Sequence, residues 1–188
     1  MFKKKKQSTQ QANYEKIIFD MYYHRVYKTA FFIVKDDYLA QDVLQETFLK
    51  VFQRIDSLED GNKMGAWIGT ITTRTAIDFL RKLKRRNDFP VDDVYQDEES
   101  FYEENSSVEK IVEDKFLKNL VQQNIRSLEP PEYREVIILK YEYELQDKEI
   151  AEALGISIGA TKSRVHRARI KLKSVLATQI DAEDGETS

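Results

Sequence analysis

The sequence predicts an all-α protein made of two small helical domains joined by a flexible acidic linker. Apolar side chains recur at spacings of three and four, the pattern of helices with one buried face. Among 188 residues only 6 are glycine and 3 are proline, fewer than the turns of an all-β sandwich require. Charge divides the chain as well: residues 1–86 hold 17 Lys and Arg against 10 Asp and Glu, residues 87–114 hold 1 against 11, and residues 115–188 hold 12 against 12. We therefore expect a first domain at 1–86, a linker at 87–107, a second domain at 108–178 and an acidic tail at 179–188.

Three helices are predicted in the first domain, at about 14–34, 38–55 and 64–86. The apolar face of the first helix contains Tyr14, Ile17, Ile18, Met21, Tyr22, Arg25 and Val26. Asp36 or Asp37 can cap the second helix, whose buried face is Leu39, Ala40, Val43, Leu44, Thr47, Phe48, Val51, Phe52 and Ile55. The third helix has core candidates Trp67, Ile68, Ile71, Ala76, Ile77 and Leu80. It ends in a run of basic residues at 81–86.

The second domain is predicted to hold helices at about 108–127, 131–143, 147–154 and 158–178. The segment before it, 87–107, lacks helical periodicity and contains Pro90 and eight acidic residues, which favours a flexible linker. A break falls at Leu128-Glu129-Pro130-Pro131, because proline disfavours helix before it and suits the first turn after it. The acidic tail is expected to be frayed.

The segment from Asp147 to Arg169 is typical of a helix-turn-helix. Ala151 is small where two helices must cross closely, and Gly155 suits the left-handed residue that ends the first helix. Ser157 can cap the second helix. That helix carries six cations and no acidic residue before Asp181: Lys162, Arg164, Arg167, Arg169, Lys171 and Lys173. A short helix, a glycine turn and a basic helix together indicate a reader of the DNA major groove.

A blander interpretation of the same segment is a packed helical hairpin with a solvated basic face. The coincidence of turn spacing with one-sided charge favours DNA binding. His166 taken alone would more often be a surface or packing residue, and its place on the basic face makes a DNA contact about equally expected.

Composition argues against several other classes of protein. There is no cysteine, and His24 and His166 are far apart in sequence, so neither a thiol nucleophile nor a metal site is expected. The sequence has no Gly-rich phosphate loop or Ser/His/Asp grouping, so we expect no enzyme, no cofactor and no small-molecule substrate. Apolar runs fall short of the roughly 20 residues of a membrane span, and polar residues follow the basic start where a secretory signal would be apolar. We therefore expect a cytoplasmic protein without membrane insertion.

The two lobes together resemble the extracytoplasmic-function (ECF) sigma factors of bacterial RNA polymerase. The first lobe does so through the segments 42–52 (DVLQETFLKVF), 67–71 (WIGTI) and 76–82 (AIDFLRK). The second does so through 128–141 (LEPPEYREVIILKY), followed by the helix-turn-helix. The resemblance covers about residues 14–175, in the family's order. It implies a non-enzymatic subunit that binds core RNA polymerase and directs it to particular promoters.

The resemblance also implies roles for matching residues. Asp42, Gln45, Glu46 and Leu49 would dock on core polymerase, and they fall off the predicted core stripe of their helix. Recognition and opening of the promoter −10 element would involve Arg74, Asp78, Arg81, Lys82 and Arg85, while the loop Ser57–Met64 would hold an unpaired base. Recognition of the −35 element would involve Lys162, Ser163, Arg164, His166, Arg167 and Arg169. The family further implies promoter DNA as a ligand and control by an anti-sigma factor, often membrane-bound.

An alternative within the DNA-binding proteins is a repressor or activator that uses the helix-turn-helix without joining the polymerase and dimerises through the first lobe. Such a protein would bind its operator tightly in the absence of polymerase. A scaffold that binds only proteins is a further alternative, against which the basic recognition helix argues.

The chain departs from the family pattern at three positions. Arg74 stands where the family usually has Asn beside the pocket for the unpaired base, so it either reads a base or phosphate there or simply pairs with Asp78 one turn on. Thr161 replaces the usual apolar residue of the recognition helix and adds a hydroxyl to a core position. Gln146 replaces the usual Ser cap of the preceding helix, so Asp147 is the alternative cap.

Overall fold

The structure, a computed structural model, describes residues 2–86 and 118–186, and these form helices without a strand. Helices α1 (Phe2–Val34), α2 (Asp37–Arg54) and α3 (Met64–Arg86) make an N-terminal unit. A C-terminal unit contains α4 (118–126), α5 (Glu132–Ile137), α6 (Asp147–Leu154) and α7 (Ile158–Glu186). The all-α prediction is confirmed. The predicted linker, 87–107, lies outside the described residues.

The N-terminal unit is a three-helix bundle in which each helix packs on the other two. Asp36 caps α2, since its carboxylate accepts the Leu39 N–H at 2.8 Å. The predicted core stripe of α2 is confirmed, with Val43 and Val51 fully buried, and Trp67 of α3 packs against the same core.

Helix α1 differs from its prediction in length and in its buried face. It begins at Phe2 rather than near residue 14. Ile18 and Val26 are buried, but Ile17 and Met21 are 57% and 68% exposed. The reason is that α2 and α3 cover only one face of α1, and apolar positions at the edge of the predicted stripe remain outside it.

The last helix also exceeds its prediction. Helix α7 continues to Glu186 instead of ending near 178, because neither glycine nor proline interrupts the chain between Gly159 and Gly185. The acidic tail therefore continues the recognition helix.

Helix α5 passes into a π-helical turn, Ile138–Glu142, which ends at Tyr143. The Tyr143 N–H donates to the Ile138 carbonyl, five residues back, at 3.3 Å. Glu144 follows with φ of 56°, a left-handed conformation that ends the helix. The extra residue of the π turn changes the direction in which Tyr143 leaves the helix.

The helix-turn-helix has the predicted turn. Gly155 ends α6 with φ of 66°, and the Ser157 hydroxyl caps α7 by accepting the Ala160 N–H at 3.1 Å. The cap of α6 differs from the expectation for Asp147. Gln146 occupies the cap position, where its N–H donates to Glu149 Oε2 at 2.8 Å. Asp147 instead forms an ion pair with Lys140, whose Nζ lies 2.9 Å from the Asp147 carboxylate.

Thr161 is fully buried in the C-terminal unit. Its hydroxyl donates to the Ser157 carbonyl at 3.2 Å, and its own N–H donates to the same oxygen at 3.0 Å. The hydroxyl that distinguishes this position from the family pattern therefore has a partner within its own helix.

The two units share one continuous core. Ala30, Ile33 and Val43 of the N-terminal unit belong to the same buried cluster as Ile137 and Ile150 of the C-terminal unit. In the described ranges, none of the helices combines the length and apolar character that crossing a bilayer requires. Those ranges also hold no group of three acidic, histidine or cysteine side chains placed to bind a metal ion.

We expect Gly155→Ala to lower the free energy of unfolding by about 1 kcal/mol, because an L side chain is strained in the left-handed region. Urea denaturation followed by circular dichroism measures it. Gly61→Ala is the matched control, since a Cβ at Gly61 meets nothing within 4 Å and its backbone is not left-handed. An equal loss in both variants would contradict the role given to the Gly155 conformation.

We expect Thr161→Val to leave the free energy of unfolding unchanged or to raise it by up to about 1 kcal/mol. Val keeps the shape of Thr, and the Ser157 carbonyl keeps the N–H of residue 161 as its donor. Thr161→Ala should cost about 1 kcal/mol because it also removes a buried methyl group. Urea denaturation measures the free energies of unfolding of both variants. A Thr161→Val variant that is less stable than the Thr161→Ala variant would contradict this prediction.

Candidate functional site

An exposed polar strip runs along α2 opposite its core stripe. Asp42, Gln45 and Leu49 are exposed, and Leu49 is 57% accessible although it is apolar. Glu46 differs from them, since it is half-buried and its carboxylate lies 3.4 Å from Lys50 Nζ. The strip combines negative charge, an amide and one unpartnered leucine, which is a composition suited to contact with another protein.

The basic end of α3 faces an open groove of about 570 Å³. The groove brings Glu46 of α2 together with predicted −10 residues: Asp78, Arg81, Lys82 and Arg85. Asp78 and Arg81 form an exposed pair at 3.6 Å, which contributes little to stability. All four α3 side chains are exposed, so their charge is available to a polyanion.

Arg74 lies apart from that groove and contacts the C-terminal unit. Its Nε donates to the Ala153 carbonyl and its Nη2 to the Glu152 carbonyl, both at 2.6 Å. The interpretation of Arg74 as a partner of Asp78 is wrong for this conformation. The end of α6 offers two carbonyls that have no N–H donor inside that helix, whereas Asp78 pairs with Arg81.

The predicted −35 residues share one side of α7. Lys162, Ser163, His166, Arg167 and Arg169 are exposed, while Thr161, Val165 and Ala168 on the opposite side are buried. Arg164 is half-buried between the two sides. Burial raises the pKa of Glu135, and the nearby Arg164 partly opposes that rise, so Arg164 faces α5 more than its neighbours do.

Sequence patterns did not identify two residues at the junction of the units, Gly69 and Tyr143. The Tyr143 ring lies against the backbone of α3 at Gly69, where an added Cβ would overlap it. The Tyr143 hydroxyl lies 3.0 Å from Thr29 Oγ1, and burial raises the pKa of Tyr143 to about 12, so the phenol stays neutral. The sequence did contain one indication of this contact, the isolated glycine Gly69 inside a predicted helix. Such a glycine commonly marks a place where another group packs directly against the helix backbone.

Comparison with known proteins matches both units. The model for sigma-70 region 2 matches residues 18–86, and the model for sigma-70 region 4 matches residues 130–172. The ECF RNA polymerase sigma factor SigW of Bacillus subtilis is 34% identical over 170 residues, which cover 85% of this chain and 87% of SigW. RNA polymerase sigma factor SigZ of the same organism is 38% identical over 143 residues, 76% of each chain.

Solved structures agree with these sequence matches. The sigma factor RpoE of Bartonella quintana, crystallised with the anti-sigma factor NepR, has a TM-score of 0.62 and 25% identity. The match covers 86% of this chain and 96% of RpoE. CnrH, solved with the cytosolic domain of CnrY, shares the fold at a TM-score of 0.52 and 20% identity, over 87% of this chain and 88% of CnrH.

Both sigma regions are thus present in the order that the resemblance implied, on an all-helical framework and with similarity along most of the chain. The chain belongs to the ECF sigma factors, the non-enzymatic subunits that give RNA polymerase its promoter specificity.

Proposed function

We propose that this sigma factor reads the −35 element with the exposed side of α7, engages the −10 element with the basic end of α3, and binds core polymerase through the polar strip of α2. The observation that carries the proposal is the division of α7 into a buried apolar side and an exposed basic side.

Recognition of the −35 element is assigned to the first turns of α7. Lys162, Ser163, His166 and Arg167 lie at the end of the helix that follows the Gly155 turn, and this end enters the major groove in helix-turn-helix proteins. Arg167 is exposed and offers a planar fork of donors that fits guanine O6 and N7. Arg169 and Arg164 flank this cluster and are assigned contacts to phosphates.

Engagement of the −10 element is assigned to the end of α3. The exposed cations Arg81, Lys82 and Arg85 line one groove, where they would bind phosphates and position the DNA without reading its sequence. Asp78 in the same groove would discourage a phosphate at that point. Arg74 would join the set only when it leaves the end of α6.

Core-polymerase binding is assigned to Asp42, Gln45, Glu46 and Leu49. Asp42, Gln45 and Leu49 are exposed on the side of α2 opposite its buried stripe, so a partner can cover this part of the strip without displacing the core. Leu49 supplies apolar area at one end of the strip, beside its polar groups, and protein interfaces commonly combine apolar and polar area in this way.

An anti-sigma factor is proposed as a further partner, supported by the complex of the similar RpoE of Bartonella quintana with NepR. We also propose a cytoplasmic location, since core polymerase and promoter DNA are found there. A membrane-bound anti-sigma factor would hold the protein at the inner face of the membrane.

We expect the triple variant Asp42→Ala, Gln45→Ala, Glu46→Ala to weaken binding to purified core polymerase at least about tenfold, by loss of polar contacts at the interface. Fluorescence titration of core enzyme measures the affinity, and circular dichroism verifies that the helices remain. Arg54→Ala is the control, because Arg54 is exposed on α2 and helical spacing places it about 130° around the helix from the centre of the strip. Unchanged affinity in the triple variant would refute the assignment of this surface.

We expect Arg167→Ala to weaken binding to the preferred −35 duplex by about 1–3 kcal/mol and to relax preference at one base pair. Promoters are first identified by run-off transcription on genomic fragments with core polymerase, and affinity is then measured on duplexes with each −35 position varied. Arg169→Ala should weaken all duplexes alike. If Arg167→Ala does the same, Arg167 contacts phosphate and not a base.

A further inference from the structure

We propose that the cavity between α1, α4 and the π-helical turn Ile138–Glu142 binds a medium-chain fatty acid. The carboxylate of the ligand would lie at Lys28 of α1, and its chain would fill the apolar interior of the cavity. The cavity has a volume of about 360 Å³, within the range of small-ligand sites in proteins. This binding activity goes beyond promoter recognition, and the protein would bind the fatty acid without transforming it.

The interior of this cavity is apolar, and one side of it is open to solvent. Phe32 and Ile138 are buried and form part of its wall. Val121 of α4 and Tyr141 of the π-helical turn also line it, and they are 37% and 56% exposed. The remaining apolar residues of the wall are Ile125 and Ile137. An apolar chain can therefore enter past an exposed rim and lose its contact with water inside.

The volume of the cavity indicates the size of its ligand. Protein interiors are close-packed, and voids larger than a water molecule are few, so this cavity is more than a packing defect. An apolar cavity of about 150 Å³ holds benzene, which corresponds to about 25 Å³ for each heavy atom. By this proportion a cavity of about 360 Å³ holds about fourteen heavy atoms, the number in dodecanoate.

Lys28 places a cation at the edge of the apolar wall. Its Nζ lies 5.5 Å from the centre of the Phe32 ring, and its side chain is about one-third exposed. Burial lowers the pKa of Lys28, and the nearby cations Lys118 and Arg126 lower it further, whereas Glu142 raises it. The partly dehydrated ammonium is thus a position at which an anionic group of a ligand is stabilised.

The groups around Lys28 also favour an anionic ligand over a neutral one. Glu142 lies 3.7 Å from Lys28 Nζ and 3.3 Å from Arg25 Nε, so one carboxylate faces two cations. A carboxylate ligand at Lys28 would match the two cations with two anions. A neutral ligand of the same shape would fill the cavity without this contact.

The first experiment titrates the full chain with octanoate, decanoate, dodecanoate and tetradecanoate by isothermal titration calorimetry. We expect saturable binding of one ligand per chain, with a Kd that falls about threefold to fourfold for each methylene added up to dodecanoate. From dodecanoate to tetradecanoate the Kd should change by less than about twofold, because a filled cavity buries no further methylene. An open surface patch would instead continue to gain affinity with chain length.

A second experiment fills the cavity from its rim. We expect Val121→Trp to weaken dodecanoate binding at least about tenfold, because the larger side chain occupies the space of the fatty-acid chain. Val121 is partly exposed, so α4 can accept the substitution, and circular dichroism verifies that the helices remain. Val175→Trp is the matched control, since Val175 lies on α7 outside the cavity and is also 37% exposed. Its Kd for dodecanoate should equal that of wild type.

A third experiment separates the charge from the cavity. Lys28→Met keeps much of the apolar stem and removes the ammonium, so it should weaken decanoate binding about tenfold and leave the binding of uncharged 1-decanol unchanged. Lys16→Met is the control, because Lys16 is an exposed cation on the same helix that also pairs with an acidic residue, Asp20, at 2.8 Å. This control should change neither affinity.

Three results would overturn the proposal: no saturable binding of dodecanoate, affinity that keeps rising beyond dodecanoate, or unchanged dodecanoate affinity in Val121→Trp. Unchanged decanoate affinity in Lys28→Met would overturn the placement of the carboxylate. A second copy of the chain is the other occupant to test by light scattering. A dimer that Val121→Trp dissociates would assign the cavity to that contact and not to a fatty acid. None of these measurements uses transcription, so their outcome is independent of the proposed function.

Discussion

The approach of Tyr143 to the backbone of α3 is the contact on which the arrangement of the two units depends. The contact requires a residue without a side chain, Gly69, on α3. It also requires that the ring of Tyr143 point from its own helix toward α3. The π-helical turn Ile138–Glu142 supplies that direction, and the left-handed Glu144 ends the helix immediately afterwards. When the ring of Tyr143 packs against Gly69, the carbonyls at the end of α6 lie within hydrogen-bonding distance of the Arg74 guanidinium. One aromatic contact thereby sets the position of a helix that begins several residues later.

Small buried residues determine which surfaces remain for partners. In the helix-turn-helix, Ala151, Ala153 and Ala168 let α6 and α7 pack closely, so the core of the C-terminal unit is completed without the long charged side chains of α7. Those side chains stay on the outer side. In the N-terminal unit, α2 is buried along one stripe, and its other side keeps an exposed leucine among polar groups. Binding surfaces in this protein are the sides of helices that the cores do not need.

Periodicity and turn chemistry predicted most of what is local. The limits of α3 and α6, the Gly155 turn, the Ser157 cap and the core stripe of α2 follow from residue types and spacing within one helix or turn. The edge of the α1 stripe could not be predicted, because Ile17 and Met21 are exposed only on account of how narrowly α2 and α3 cover α1. The contacts of Arg74 could not be predicted for the same reason. Its hydrogen-bond acceptors are 78 and 79 residues away in sequence, whereas Asp78 is the acidic residue one turn away on the same helix.

The π turn has a consequence for how related chains can diverge. A π turn holds one residue more than the α-helix that would replace it, and each residue of a helix advances the side-chain direction by about 100°. Straightening of the turn to ordinary α-helix with the same number of residues would turn the side chain of Tyr143 away from Gly69. Loss of one residue in the turn would instead restore the α-helical register and leave that direction nearly unchanged. Related chains can thus differ by one residue at this point and keep the same contact between the two units.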